Sequence, residues 1–166
     1  MAYGEAVSIV VYPGSFDPFT LGHLDVVRRT HALFDEVVVA VAQNPDKNGL
    51  LPAAIRIELI RAAIAEAGLT DVRVEAVPGL IVDFCAQIGA TAIVKGLRGG
   101  ADFDAEASMA LMNRKLTGIE TVFLQADPAF AHIASSLVKD IARHGGDITD
   151  LVPAGVADAV RAALSR

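Results

Sequence analysis

Short runs of β-branched residues alternate with longer amphipathic stretches along the whole chain, and this alternation constrains the fold more than any other feature. The runs predict strands over residues 8–12, 36–42, 72–77, 91–95 and 121–125. Helical spacing of apolar residues predicts helices over 21–34, 53–67, 80–88, 101–116, 134–144 and 156–165. Strands that alternate with helices pair in parallel beneath helical layers. We therefore predict one α/β domain over residues 1–166, a Rossmann-like doubly wound fold with a five-stranded parallel sheet and a C-terminal helical segment.

Composition narrows the class of protein. The 166 residues are the length of one ordinary domain, and 53% of them are apolar, which excludes intrinsic disorder. A formal charge of −6 argues against general nucleic-acid binding. The lone Cys85 excludes an internal disulfide and a multi-cysteine metal site. No Lys or Arg precedes Arg28, so we expect no basic export signal. We expect a cytoplasmic protein with no nucleic-acid or membrane partner.

The loops that follow the strands are the places to look for chemistry. In doubly wound sheets, ligands bind beyond the carboxyl ends of the strands, where the strand order reverses. The first such loop, residues 12–23, lacks both the dinucleotide glycine fingerprint and the Gly-Lys-Ser/Thr ending of a P-loop. It does place Gly14, Ser15, Gly22 and His23 near a helix N-terminus, where amide and side-chain donors can bind an anion. The alternative is a turn-rich connector in which His23 only caps the helix.

Four segments carry a resemblance to a known family. Gly14-Ser-Phe-Asp-Pro18 followed by Thr20-Leu-Gly-His23 resembles the [HT]-x-G-H signature of the nucleotidyltransferase superfamily. Val94-Lys-Gly-Leu-Arg98, the segment 101–113 and the segment 135–144 narrow the resemblance further. With these segments, the chain resembles the bacterial phosphopantetheine adenylyltransferases over almost its whole length. The first motif alone would indicate only the superfamily.

The resemblance implies reversible adenylyl transfer in coenzyme A biosynthesis. The phosphate of 4′-phosphopantetheine would attack the α-phosphorus of ATP in line and give dephospho-coenzyme A and pyrophosphate. No protein nucleophile is needed, because the substrate phosphate is itself the nucleophile; alignment and charge stabilisation would supply the catalysis. Mg²⁺ would be carried on the ATP phosphates, and no protein metal ligand is expected. The resemblance also implies a homohexamer and coenzyme A as an inhibitor.

The resemblance assigns residues to three roles. The catalytic residues would be His23, which stabilises the transition state, with Lys47 and Arg98. The acceptor 4′-phosphopantetheine would be bound by Ser15, Lys47, Leu80, Ile81, Lys95 and Asn113. ATP would be bound by Ser15, Phe16, His23, Gly96, Leu97, Arg98, Glu106, Phe130, Ala131, His132, Ile133, Ala134, Ser135 and Ser136. Independently of the family, the positions of Ser135 and Ser136 predict the N-cap and first turn of a helix.

The sequence departs from the family pattern at several positions. Ala134 replaces the first of three usual serines, Phe130 a Tyr or Trp, His132 an apolar residue and Ala105 a frequent Tyr. The segment 52–56 replaces an acidic helix start. These changes would alter ATP contacts while the reaction is retained.

Three other functions remain open. The same fold could use another acceptor, such as nicotinamide mononucleotide or glycerol 3-phosphate. The chain could instead be a nucleotide sensor without turnover, which would bind ATP and release no pyrophosphate. A pure interaction module would leave the cation- and glycine-containing loops unexplained.

Overall fold

A computed structural model describes residues 7–43 and 49–165. Its strands are β1 (Ile9–Gly14), β2 (Glu36–Ala42), β3 (Val72–Val77), β4 (Ala92–Leu97) and β5 (Glu120–Gln125). Its α-helices are α1 (Leu21–His31), α2 (Ala53–Glu66), α3 (Ile81–Ile88), α4 (Gly100–Thr117), α5 (Ser135–Arg143) and α6 (Val156–Leu164), with a 3₁₀ turn at Thr149–Leu151. Every predicted strand and helix is present, and the predicted fold class is confirmed.

The sheet is entirely parallel, in the order β3-β2-β1-β4-β5. Strands β2 and β3 follow in order on one side of β1. The chain then crosses to the other side of β1, where β4 pairs with β1 and β5 pairs with β4. Val11 is therefore paired with Val38 on one side and with Ile93 on the other. The strand order reverses between β1 and β4, so ligands are expected beyond the carboxyl ends of these two strands.

Helices bury both faces of the sheet. Successive strand residues point to opposite faces, so in β2 Val37 and Val39 pack into a different cluster from Val38 and Ala40. Residues 37–41 are fully buried, as the continuous apolar run predicts. The C-terminal helices α5 and α6 enclose a separate apolar cluster around Ile148 and Val156.

Close packing of α1 on β4 fixes one wall of the site. A Cβ at Gly96 would lie 2.7 Å from Cγ2 of Val26, well inside van der Waals contact. Glycine at this position therefore lets the helix lie directly against the end of the strand.

Among the helices that the structure describes, none is long and apolar enough to cross a bilayer.

Some predicted boundaries are wrong. Helix α1 ends at His31, three residues before the prediction, and the N–H groups of Leu33 and Phe34 both donate to the carbonyl of Thr30 in the turn that follows. Phe34 still packs against the core. Its apolar side chain therefore indicates packing against the core and does not indicate that the helix continues. Strand β1 extends through Pro13 and Gly14, which have low strand propensity but pair with Ala40 and Val41 of β2.

Candidate active site

A cavity of about 420 Å³ lies beyond the carboxyl ends of β1 and β4. It is bounded by the loop that follows β1, the start of α1, the start of α4 and the start of α5. Its lining comprises Tyr12, Pro13, Gly14, Ser15, Phe16, Thr20, Gly22, His23, Val26, Lys95, Gly96, Arg98, Asp102, Ala105, Glu106, Ala126, Phe130, Ile133, Ala134, Ser135 and Ser136. We call it the first cavity.

A larger cavity of about 1050 Å³ adjoins it, and we call it the second cavity. Much of its wall is apolar and comes from α3 and α4, including Leu80, Ile81, Met109 and Met112. Five residues line both cavities: Pro13, Gly14, Ser15, Lys95 and Glu106. The two cavities therefore meet at the end of β1 and the end of β4.

His23 is held at the start of α1 by a reciprocal capping arrangement. The His23 N–H donates to Oγ1 of Thr20, while Nδ1 of His23 accepts the backbone N–H of Thr20 at 3.0 Å. A histidine thus takes the place of the Glu or Gln of an ordinary capping box. Because Nδ1 accepts, the neutral ring carries its proton on Nε2. The side chain of His23 therefore both caps α1 and lines the first cavity.

The imidazole of His23 is neutral at physiological pH. Burial lowers the pKa of His23 to about 4, with the nearby positive charges of Arg98 and Lys95 acting in the same direction. The ring stacks on Phe19 and makes an edge contact with Phe16. A neutral Nε2–H is a hydrogen-bond donor that carries no positive charge of its own.

Phe16 takes an uncommon backbone conformation to complete this aromatic cluster. Its φ is +50°, in the left-handed region that side-chain-bearing residues seldom occupy. Its ring lies over Gly14, where a Cβ would come within 2.8 Å of Cζ. Edge contacts to Tyr12, Phe19 and His23 hold the ring in place. The loop is therefore rigidly packed beneath the first cavity.

Both cations at the end of β4 are paired with carboxylates of α4. Arg98 donates to Asp102 through Nε at 2.8 Å and through Nη2 at 2.9 Å, and its backbone N–H also donates to Asp102. The Arg98 guanidinium holds the pKa of Asp102 below its usual range. Lys95 Nζ lies 3.2 Å from Oε1 of Glu106. The first two turns of α4 thus neutralise the cations that face the cavities.

A buried carboxylate, missed by the sequence analysis as a site residue, joins three parts of the site. Asp17 accepts the amide N–H groups of Leu50 and Leu51 at 2.8 and 2.9 Å, and Nζ of Lys139 at 3.2 Å. Burial acts to raise the pKa of Asp17, but the two amides and Lys139 outweigh it and leave the pKa lowered. Asp17 therefore ties the loop after β1 to the segment before α2 and to α5.

Arg56 was also missed. Its side chain is buried, lines the second cavity and donates through Nε to the carbonyl of Leu51 at 3.0 Å. A further guanidinium N–H donates to the carbonyl of Ser15. The only signal for Arg56 in the sequence is a basic residue in an otherwise apolar helix start. It positions Ser15 at the point where the cavities meet.

The structure brings most of the predicted residues together. In the first cavity are Ser15, Phe16, His23, Gly96, Arg98, Glu106, Phe130, Ile133, Ala134, Ser135 and Ser136. In the second are Ser15, Leu80, Ile81, Lys95 and Asn113. Three predicted residues lie outside both linings: the buried Leu97, Ala131 and the exposed His132. Lys47 falls outside the residues that the structure describes.

One local prediction is wrong. Ser135 does not cap α5; the N-cap is Ala134, and Ser135 is the first helical residue. The hydroxyl of Ser135 instead donates to the carbonyl of Pro18 at 2.8 Å. The start of α5 is thus anchored to the loop after β1, and Ser136 lies in the first turn as predicted.

The described residues, 7–43 and 49–165, hold no group of three or more His, Cys, Asp and Glu side chains that could bind a metal ion. Asp102 and Glu106 are the acidic residues of the first cavity, and each already has a cationic partner.

Comparisons with known proteins show the family of this chain. A family model described as cytidylyltransferase-like matches residues 11–141. A phosphopantetheine adenylyltransferase from Bifidobacterium longum (strain DJO10A) is 54% identical over 147 residues, covering 89% of this chain and 89% of that protein. One from Clavibacter michiganensis subsp. michiganensis (strain NCPPB 382) is 54% identical over 154 residues, covering 92% of this chain and 94% of that protein.

Similarity to solved structures extends to distant sequences. A bifunctional NMN adenylyltransferase/ADP ribose pyrophosphatase from Francisella tularensis superposes with a TM-score of 0.74 at 12% identity. The match covers 97% of this chain and 51% of that one. At this identity the likeness shows the fold alone.

Proposed function

The chain belongs to the phosphopantetheine adenylyltransferases, within the cytidylyltransferase-like family, and from this premise we propose that it transfers the adenylyl group of ATP to 4′-phosphopantetheine. The products would be dephospho-coenzyme A and pyrophosphate. The observation that carries the proposal is the wall shared by the two cavities, where Ser15 and Lys95 face both. A two-substrate transfer needs such a junction, because both reacting phosphates must lie within bonding distance of each other.

ATP would occupy the first cavity. The start of α5, with Ser135 and Ser136, offers free amide donors and the positive end of a helix dipole to the β- and γ-phosphates. His23 would donate its Nε2–H to the α-phosphate, and Arg98 would add positive charge. A neutral imidazole suits this role, since it stabilises developing negative charge without needing to be protonated first.

4′-Phosphopantetheine would occupy the second cavity. Its extended arm would lie along the apolar wall formed by Leu80, Ile81 and the α4 methionines, near Asn113. Its phosphate would approach Ser15 and Lys95 at the junction. The family resemblance assigns Lys47 to the same phosphate. Arg56 keeps the Ser15 carbonyl fixed there.

The reaction would be a direct displacement. An oxygen of the acceptor phosphate forms a bond to the α-phosphorus of ATP, and the bond from the α-phosphorus to the oxygen bridging to the β-phosphate breaks. The electron pair of that bond leaves with pyrophosphate. Mg²⁺ would supply charge neutralisation along the polyphosphate. The protein residues bind and align the two anions and form no covalent intermediate.

Acceptor-dependent pyrophosphate release tests this proposal. With ATP, Mg²⁺ and 4′-phosphopantetheine, we expect pyrophosphate and dephospho-coenzyme A in equal amounts. His23→Ala should slow turnover by about 10²–10³-fold, the usual cost of one transition-state donor. His31→Ala, on the same helix but outside both cavities, is the matched control and should retain activity.

Substituting the acceptor decides between the alternatives. Release with nicotinamide mononucleotide and not with 4′-phosphopantetheine would overturn the proposed acceptor. ATP binding without release with any acceptor would favour a nucleotide sensor.

We also propose a homohexamer in the cytoplasm, with coenzyme A as an inhibitor. Helix α4 has no buried residue, and Leu111 and Phe103, which line neither cavity, are each about half exposed or more. Exposed apolar side chains of this kind are typical of a subunit interface. Coenzyme A shares the pantetheine arm and adenylyl group of the product and would fit the same pair of cavities. Light scattering of the pure protein at several concentrations tests the assembly.

A further inference from the structure

The two cations of the first cavity, Lys95 and Arg98, already have carboxylate partners. Lys95 is paired with Glu106 and Arg98 with Asp102, and all four side chains line the first cavity. The two carboxylates lie one helical turn apart on α4 and so present a continuous acidic edge. The family resemblance assigns Glu106 to ATP binding, yet carboxylates in the wall of this site would repel the phosphates of the ligand, so their presence needs an explanation.

From this arrangement we propose that Asp102 and Glu106 weaken the binding of ligand phosphates, because the two carboxylates compete with those phosphates for Arg98 and Lys95. A phosphate must displace a carboxylate from each cation before it binds. A small anion such as inorganic pyrophosphate has only its charge to offer and binds weakly. A nucleotide also gains from contacts of its base and sugar with the rest of the cavity. This inference rests on the proposed function and deepens it.

The same exchange would favour release of pyrophosphate after transfer. Once the bond to the α-phosphorus is broken, pyrophosphate no longer shares the contacts of the adenylyl group. Glu106 and Asp102 can then reclaim Lys95 and Arg98. The exposed fraction of each side chain, 24% for Lys95 and 32% for Glu106, leaves room for this change of partner.

The two carboxylates do not line the same cavities. Glu106 lines both cavities, whereas Asp102 lines only the first. Removing the charge of Glu106 should therefore strengthen phosphate binding in both cavities. Removing the charge of Asp102 should strengthen phosphate binding in the first cavity alone.

Calorimetric titration with inorganic pyrophosphate, without Mg²⁺, tests the competition. We expect Glu106→Gln and Asp102→Asn each to lower the Kd of pyrophosphate about fivefold, which corresponds to about 1 kcal/mol, the upper range for a partly exposed ion pair. Asp104→Asn is the matched control: it removes the same charge from the same helix turn but lies exposed and outside both cavities. The Kd of pyrophosphate for Asp104→Asn should equal its Kd for the wild type.

A second titration uses 4′-phosphopantetheine alone. Glu106→Gln should bind it more tightly than the wild type, and Asp102→Asn should not. Thermal unfolding of each variant checks the fold. Should Glu106→Gln unfold, Asp102→Asn with pyrophosphate still decides the question, since its prediction is independent.

Unchanged or weaker pyrophosphate binding in the folded variants overturns the inference. If the wild type still releases pyrophosphate in an acceptor-dependent way, only the competition is wrong and the proposed function stands. If the wild type neither binds ATP nor turns over, the proposed function itself fails.

Discussion

Replacing Asp17 by asparagine should destabilise the protein by about 3 kcal/mol. The carboxylate is 7% exposed and accepts two backbone amides and the Lys139 ammonium. Removing one partner of a fully buried ion pair costs roughly 3–5 kcal/mol, but Lys139 is 23% exposed and can regain water. The asparagine side chain also keeps one acceptor oxygen for an amide. These two effects place the loss at the lower end of that range.

Urea unfolding at fixed protein concentration measures the loss. For a chain of this length, 3 kcal/mol corresponds to a fall in Tm of about 6–12 °C. The effect should also depend on pH. Because the pKa of Asp17 is lowered in the folded state, its stabilising effect is complete above the unfolded pKa of about 4 and is lost as the pH falls through the folded pKa. The difference between wild type and variant should therefore shrink in acid.

Asp150→Asn, at an exposed carboxylate, is the control and should change stability by less than about 0.5 kcal/mol. A loss below about 1 kcal/mol for Asp17→Asn at neutral pH would refute the reasoning. It would mean that the three hydrogen bonds contribute no more than a surface interaction does.

Three further predictions concern the site. The imidazole of His23 should titrate with a pKa of about 4 in the free protein, so its NMR signals should stay those of the neutral ring from pH 8 to about 5; a titration near 6.5 would contradict its burial beside Arg98 and Lys95. Gly96→Ala should cost about 1–3 kcal/mol by overpacking against Val26, and adding Val26→Ala should recover part of the loss in urea unfolding; additive losses would argue against that contact. Chelating Mg²⁺ should stop pyrophosphate release and leave the unfolding curve unchanged, and release that persists in excess chelator would exclude the proposed metal role.

The central strand β2 could be predicted closely because it is buried on both faces, and such strands are continuous β-branched runs. The edge strand β3 instead alternates apolar residues with Arg73 and Glu75, and this alternation also predicts a strand. The bounds of both strands agree with the prediction residue for residue. Strand ends that depend on pairing were missed. Pro13 and Gly14 are strand residues only because β2 lies alongside them. Likewise, Phe34 packs against the core as a partly buried residue, although the helix has already ended.

The sequence predicts which loops form the site, but it does not predict which of their side chains form ion pairs with each other. Lys95 could be recognised because it lies near the carboxyl end of a strand, and His23 because it lies at the start of the helix that follows one. The pairing of Asp17 with Lys139 joins residues 122 positions apart, and no local pattern signals it. The pairing of Lys95 with Glu106 likewise joins two different elements, β4 and α4, and no local pattern signals it.

The most direct test of the account is a crystal structure with a non-hydrolysable ATP analogue and 4′-phosphopantetheine bound together. The account predicts the nucleotide in the first cavity, the pantetheine arm in the second and the acceptor phosphate beside Lys95 and Ser15, facing the α-phosphorus. An acceptor phosphate bound away from this junction, or both ligands competing for one cavity, would contradict it.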